Sequence, residues 1–220
     1  MGEKADDYYR ADKSRMLAYV PASARSVFDV GCAAGAFGES LKAQRPGLEV
    51  WGVEAVESAA TEAGAVLDHV VVGTFPEVVP ELGRTFDVVV FNDVLEHLVD
   101  PWAALLAAHR LTKPGGVAIA SVPNVRNWRT IIDLVRHGRW EHAERGIHDV
   151  DHVRWFTRQT LAEAFERAGW TVTVAEMVNP TGFRRGRLFG AALRPVARDL
   201  SDEAGFRQIV VVGRSGGMAG

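Results

Sequence analysis

Along the first 120 residues short, β-branched apolar runs alternate with stretches whose apolar positions recur at helical spacing, the pattern of parallel βαβ units. Val27, Phe28 and Val30 make the first run, over Ser26 to Gly31, and it stops at a glycine. A helix is predicted over Phe37 to Ala43, a strand over Glu49 to Glu54, an alanine-rich helix over Ala55 to Ala63 that Gly64 ends, and a third strand over Asp68 to Val72. Phe86 to Phe91 carries five apolar residues around Asp87, which predicts a strand covered on both faces at the centre of a sheet. Asp100-Pro101 sets an N-cap before a proline at the first helical position. Trp102, Leu105 and Leu106 follow at helical spacing, Lys113-Pro114-Gly115-Gly116 ends that helix, and Val117 to Val122 reads as strand five.

From Pro123 to Thr157 the pattern changes. Trp128, Ile131, Ile132 and Val135 share one helical face, and a His-rich, Gly-punctuated stretch follows; residues 123–157 read as an inserted lid. Thr157 caps a last helix with Leu161 and Phe165, Gly169 closes it, and Trp170 to Met177 and Phe206 to Gly213 supply two more strands. Between them lies an arginine-rich loop with Arg184, Arg185, Arg187, Arg194 and Arg198.

Length and composition narrow the class. The 220 residues, 47% hydrophobic and 24% charged, suit one globular α/β domain with a small insertion. A single cysteine, Cys32, forms no disulfide within the chain and writes no CxxC metal pattern, which fits a reducing compartment. A net charge of −3 argues against a protein whose main task is to coat nucleic acid. No apolar run of membrane-spanning length and no signal-peptide pattern is present, so a cytoplasmic location without membrane insertion is expected.

The run from Val27 to Gly35 places small residues at the turn from the first strand to the first helix, where backbone can approach a ligand closely. Glu54 at the end of strand two can accept both ribose hydroxyls of a nucleoside. A nicotinamide enzyme would share these features, but the turn lacks G-x-G-x-x-G spacing and Asp29 lies in it, which suits a cationic sulfonium cofactor better than a pyrophosphate.

These residues resemble the class I S-adenosylmethionine-dependent methyltransferases from about Lys13 to Gly213. Asp29-Val-Gly-Cys-Ala-Ala-Gly35 resembles the family's glycine-rich motif, with Gly31, Ala33 and Gly35 along it, and Glu54 its ribose-binding acid. Phe86 to His97, which includes Asn92, resembles the fourth strand and following turn, and Leu111-Thr-Lys-Pro-Gly-Gly116 the approach to strand five. Ala33 stands where a middle glycine is common, and Thr74, followed by Phe75, stands where many members carry an adenine-binding acid. The resemblance implies a Rossmann-like α/β fold with a seven-stranded mixed sheet, order 3-2-1-4-5-7-6, helices on both faces and strand seven antiparallel. It also implies S-adenosyl-L-methionine as cofactor.

Methyl transfer to a hydroxyl needs alignment and removal of a proton. Four of seven histidines and three of six tryptophans fall between Asn124 and Arg158, just beyond strand five, where open α/β sheets bind substrate. His148-Asp-Val-Asp-His-Val-Arg-Trp-Phe-Thr157 resembles a stretch of small-molecule and sugar O-methyltransferases of glycan biosynthesis. His152 is the first choice of general base and His148 the second, with Asp149 or Asp151 orienting either ring. Asp93, Glu96 and His97 offer a second set: one helical turn would gather them with His148 or His152 into ligands for a divalent cation such as magnesium. This spacing resembles the E-x-x-E-H of ubiquinone-pathway and small-RNA 2′-O-methyltransferases.

The first expectation is therefore O-methylation of a small-molecule hydroxyl on a sugar nucleotide or glycan precursor. Quinone-type or RNA 2′-O-methylation and a non-catalytic cofactor-binding subunit are the alternatives. Trp140 or Trp155 could stack on an acceptor, the arginine strip could hold a diphosphate, and residues 1–22, with Tyr8, Tyr9 and Arg15, could form a helical cap over the cofactor. A homodimer is compatible with all of this.

Overall fold

Val27 and Phe28 are neighbours in the first apolar run, both fully buried, and they serve different cores. The computed structural model describes residues 14–181, 183–195 and 197–216. Seven strands, β1 (Ser26–Val30), β2 (Glu49–Glu54), β3 (His69–Val72), β4 (Phe86–Asn92), β5 (Thr112–Pro123), β6 (Trp170–Pro180) and β7 (Phe206–Ser215), form one sheet of order β3-β2-β1-β4-β5-β7-β6. β7 runs antiparallel to β5 and β6, and the other pairings are parallel. The order and the reversed strand are those the family resemblance implies.

The helices are α1 (Ala36–Gln44), α2 (Glu57–Ala63), α3 (Val79–Leu82), α4 (Pro101–Leu111), α5 (Trp128–His137), α6 (Arg158–Arg167), α7 (Phe183–Ala192) and α8 (Leu200–Glu203). In β4, Val89 and Phe91 pack with Leu105 of α4 and Phe165 of α6, while Val88 and Val90 pack on the other face with Phe37 and Leu41 of α1. That alternation makes the strand apolar throughout, because each face has a helical layer to bury against. Asp100 caps α4 by accepting from the Ala103 amide at 2.9 Å, and Thr157 caps α6 in a reciprocal box with Thr160.

Three expectations change. The arginine-rich connection is helical, forming α7 and α8, so α6 is not the last helix. Gly186 and Gly190 explain it: a Cβ at Gly186 would lie 2.5 Å from Gly205 Cα, and one at Gly190 2.4 Å from Ser201 Cα, so these glycines let α7 press against the α8 backbone and do not mark a loop. Lys113 to Gly116 lie inside β5, where a register shift absorbs them and Lys113 Nζ bonds the Asp87 carboxylate at 2.9 Å. Of the expected cap over residues 1–22, residues 1–13 with Tyr8 and Tyr9 lie outside the described residues; Ser14–Tyr19 is a 3-10 turn whose Met16 and Leu17 belong to the core. No helix among the described residues is long and apolar enough to cross a membrane.

At the start of β2 Arg84 bonds both oxygens of Glu49, each at 2.7 Å, and lies over the rings of Trp51 and Phe86. The bond from Arg84, and then that from Trp51, holds the Glu49 carboxyl at about 2, down from its usual 4.5. A lowered folded-state pKa contributes stability above the unfolded value that is lost as pH falls from 4.5 toward 2. The pair is about a third exposed, so solvent screens it. Arg84→Met should therefore destabilise the protein more at pH 6 than at pH 2.5; equal shifts of the urea midpoint at both would refute the linkage.

Candidate active site

The chain leaves β1 through a turn of left-handed residues: Gly31 at φ 66°, Ala33 at φ 49° and Gly35 at φ 84°. At Gly31 a side chain is excluded twice, by the backbone angle and by Val94 Cγ2, which would sit 2.8 Å from a Cβ. Ala33 takes the same backbone region with a methyl group in place, at a cost of about 1 kcal/mol. Its amide donates to Glu54 Oε2 at 3.0 Å and the Val56 amide to Oε1 at 2.9 Å, so the carboxylate is fixed at the end of β2. An ionised carboxylate keeps further lone pairs for a diol. This small-residue loop beside a fixed acid fits a nucleoside cofactor. Asp29 sits within β1, 2% exposed, two residues before the turn that opens at Gly31.

Thr74 lies exposed at the rim beyond β3, its hydroxyl bonded to Glu77. Phe75 is core instead: it is 6% exposed and packs on Phe28 and Phe91.

β4 ends at Asn92, whose Oδ1 accepts from the Ser121 hydroxyl at 3.0 Å. Asp93 then turns left-handed, at φ 58°, before the 3-10 turn Leu95–His97. That backbone reversal is why the expected grouping divides. Asp93 Oδ1 is taken by Ser121 Oγ at 3.1 Å and Gln208 Nε2 at 2.7 Å. Glu96 and His97 instead meet His152, with one ligand atom from each lying within 4.8 Å of the others. Asp93 is therefore not in this donor set, and neither is His148.

His152 is 6% exposed and Glu96 1%. His152 Nε2 faces Glu96 Oε1 at 4.0 Å, and its ring stands edge-on to His97 with centroids 4.7 Å apart. Its Nδ1 lies 3.1 Å from the Ile147 carbonyl, and His97 Nδ1 lies 3.2 Å from that of Asp151. In the neutral ring each Nδ1 then carries the hydrogen and each Nε2 keeps a lone pair, the arrangement that readies imidazole as base or ligand. Main-chain carbonyls lie against Nδ1 of both rings. His148 has another setting: Nε2 is 3.3 Å from Thr130 Oγ1 and the ring lies on Trp140. Burial pushes its imidazole below the usual value; nearby Asp133 opposes this, and His142 and His152 add to it.

A cleft of about 930 Å³ opens over these groups, with Asp93, Glu96, His148, His152 and Gln208 among its walls. Trp140 and Trp155 pack on each other outside its lining. The arginine strip does not face it either: Arg187, Arg194 and Arg198 border a separate cavity against α8, and the arginines of the cleft are Arg129, Arg139, Arg145 and Arg207.

The residues that hold the lid gave weaker sequence signals. Asn124 Nδ2 donates to the carbonyls of Glu203 and Phe206, and Asn127 Nδ2 to that of Phe206. The Glu203 carboxylate joins Arg126 at 2.5 Å and Arg158 at 3.0 Å. Asn124-Val-Arg-Asn127 directly after a strand is the pattern that could have marked them. Gln208 lies in an apolar strand and had no such flag.

Residues 1–175 match the family described as "Methyltransferase domain". The chain belongs to the class I S-adenosylmethionine-dependent methyltransferases. A relative of this methyltransferase from Methylobacterium nodulans, named ubiquinone biosynthesis O-methyltransferase, is 34% identical over 176 residues, 75% of this chain and 68% of that one. One of the same name from Ruegeria pomeroyi is 32% identical over 160 residues, 68% of this chain and 61% of that one. The matched stretch thus spans about two-thirds of these relatives. Among solved structures, a SAM-dependent methyltransferase from Archaeoglobus fulgidus superposes with a TM-score of 0.70 at 19% identity, covering 94% of this chain and 96% of that one. The N-terminal domain of EvdMO1 with SAH bound gives 0.62 at 22% identity, covering 97% and 86%. Both share the fold of this methyltransferase.

Proposed function

We propose that this methyltransferase acts on a hydroxyl of a small aromatic acceptor of the quinone-precursor type, at a site completed by a divalent cation. The observation that carries this is the meeting of Glu96, His97 and His152 beneath the cleft. S-adenosylmethionine supplies an electrophilic methyl group, held on this reading by the Gly31–Gly35 loop and Glu54. What the protein must add is an acceptor oxygen aligned and stripped of its proton. A cation on Glu96, His97 and His152 would acidify a hydroxyl beside it. Two imidazoles and one carboxylate suit zinc or manganese better than magnesium.

The names of the relatives favour a quinone-type acceptor over the sugar nucleotide or glycan precursor expected first. Of the features behind the RNA reading, the arginine strip borders another cavity and so adds nothing at this cleft.

The test is methyl transfer from labelled S-adenosylmethionine to substituted catechols, to sugar nucleotides and to a short RNA, before and after dialysis against a chelator. Catechol methylation that falls to background on chelation and returns with zinc or manganese, while S-adenosylhomocysteine still binds, is the expected result. Undiminished turnover after chelation would remove the cation. Methylation of sugars and not catechols would remove the acceptor class.

A further inference from the structure

Among the described residues three non-glycine positions have left-handed backbone: Ala33 in the cofactor loop, Asp93 and Asn179. The last two, on different elements, are joined by one side chain. Gln208 donates from Nε2 to Asp93 Oδ1 at 2.7 Å, and its Oε1 accepts from Asn179 Nδ2. All three residues border the cleft that holds Glu96 and His152. Left-handed backbone at non-glycine residues persists where surroundings over-determine it, and it concentrates at functional sites.

We infer that Gln208, held by Asn179, is a positioning residue that presents the Asp93 carboxylate to the methyl acceptor. The register explains the choice of strand: β7 runs antiparallel beside β5, bringing Gln208 opposite Pro123 just past Ser121, the other donor to Asp93 Oδ1. Gln208 is thus the dedicated donor to Oδ1, since the one hydroxyl hydrogen of Ser121 is shared between Asp93 Oδ1 and Asn92 Oδ1, while Oδ2 receives none from the described residues. The amide of Gln208 is itself oriented, because Asn179 needs its oxygen and Asp93 its nitrogen. Oδ2 of Asp93 is left to accept a hydrogen from an acceptor hydroxyl, a charge-assisted bond of the stronger kind. The inference rests on the hydroxyl-acceptor reading above and adds the residues that aim the acceptor.

The experiment is a double-mutant cycle on kcat/KM with Asp93→Asn, Gln208→Met and the pair, read on whichever acceptor the wild-type enzyme methylates. Gln208→Met should raise the acceptor KM about ten- to hundredfold, the scale of a hydrogen bond to a charged group, with S-adenosylhomocysteine affinity and melting temperature kept. The double variant should be no worse than Asp93→Asn alone. Additive losses would overturn the inference, since Gln208 would then act independently of Asp93. Should Gln208→Met fail to fold, Asn179→Gly serves in its place, because glycine accepts the left-handed backbone and removes only the amide; an unchanged acceptor KM there would also overturn it. If the acceptor proves to be an amine, the hydroxyl reading falls while the cycle still decides whether Gln208 works through Asp93.

Discussion

His152→Ala should lower turnover by roughly a thousandfold, the scale of a lost proton-transfer group or ligand, while S-adenosylhomocysteine binds as before. The imidazole is held at Nδ1 by the Ile147 carbonyl and stands edge-on to His97, with Nε2 facing Glu96 Oε1 at 4.0 Å. Removing it takes away an imidazole of the cleft wall and leaves Glu96, at 1% exposure, without the ring that faces it. The cofactor loop and Glu54 are built on β1 and β2 and share no hydrogen bond with His152, so calorimetric titration with S-adenosylhomocysteine should give the same dissociation constant. His148→Ala is the informative contrast. That ring bonds Thr130 and lies on Trp140, so its loss should loosen the lid more than it slows the chemistry. Wild-type turnover in His152→Ala would end the assignment of this cluster to the reaction.

Glu203→Ala should be among the most destabilising substitutions in the protein, at about 3 kcal/mol. The carboxylate is 4% exposed and bridges Arg126, which follows β5, to Arg158, which opens α6. Without it two guanidinium groups remain side by side in a partly buried setting. Their 28% and 38% exposure keeps the cost at the lower end of the range for a broken buried pair, because water reaches them. For a domain of this size the melting temperature should fall by roughly 6–12 °C. Glu203→Gln, which retains acceptor oxygen, should cost less. A Glu203→Ala protein that melts within a degree of wild type would mean the arginines find other partners.

The sheet was legible because its strands are apolar on both sides and its turns carry glycine, so that pattern alone places β1, β2, β4 and much of β5 within a residue or two. The arginine-rich segment was not, because arginine spacing says little when a helix is seated by glycines against another backbone. The turn that the proposal gives to the cofactor is visible as a local run of small residues, Gly31 to Gly35, and one acid at a strand end. The acceptor half depends on contacts distant in sequence. Whether Glu96 joins Asp93 or His152 turns on one left-handed residue, and nothing in the order of residues 93–97 declares it. Gln208 sits 115 positions from Asp93, and only the antiparallel return of β7 brings them together.

The base of the lid has one more consequence. Asn124 and Phe156 are bridged directly, and Asn124 is tied to β7 through the Arg207 carbonyl, so the residues between them leave and rejoin the domain at a single fixed point. A closed loop of that kind has an entropic cost that grows only with the logarithm of its length, about 0.6 kcal/mol for each doubling. Inside that loop Arg126, Asn127, Val153 and Arg154 are tied back to Glu203, Phe206 and Glu96, so it is the stretch between these ties, around positions 138–142, whose length can change while the sheet and His152 stay in place. The acceptor range of such an enzyme can drift while its cofactor site stays as it is.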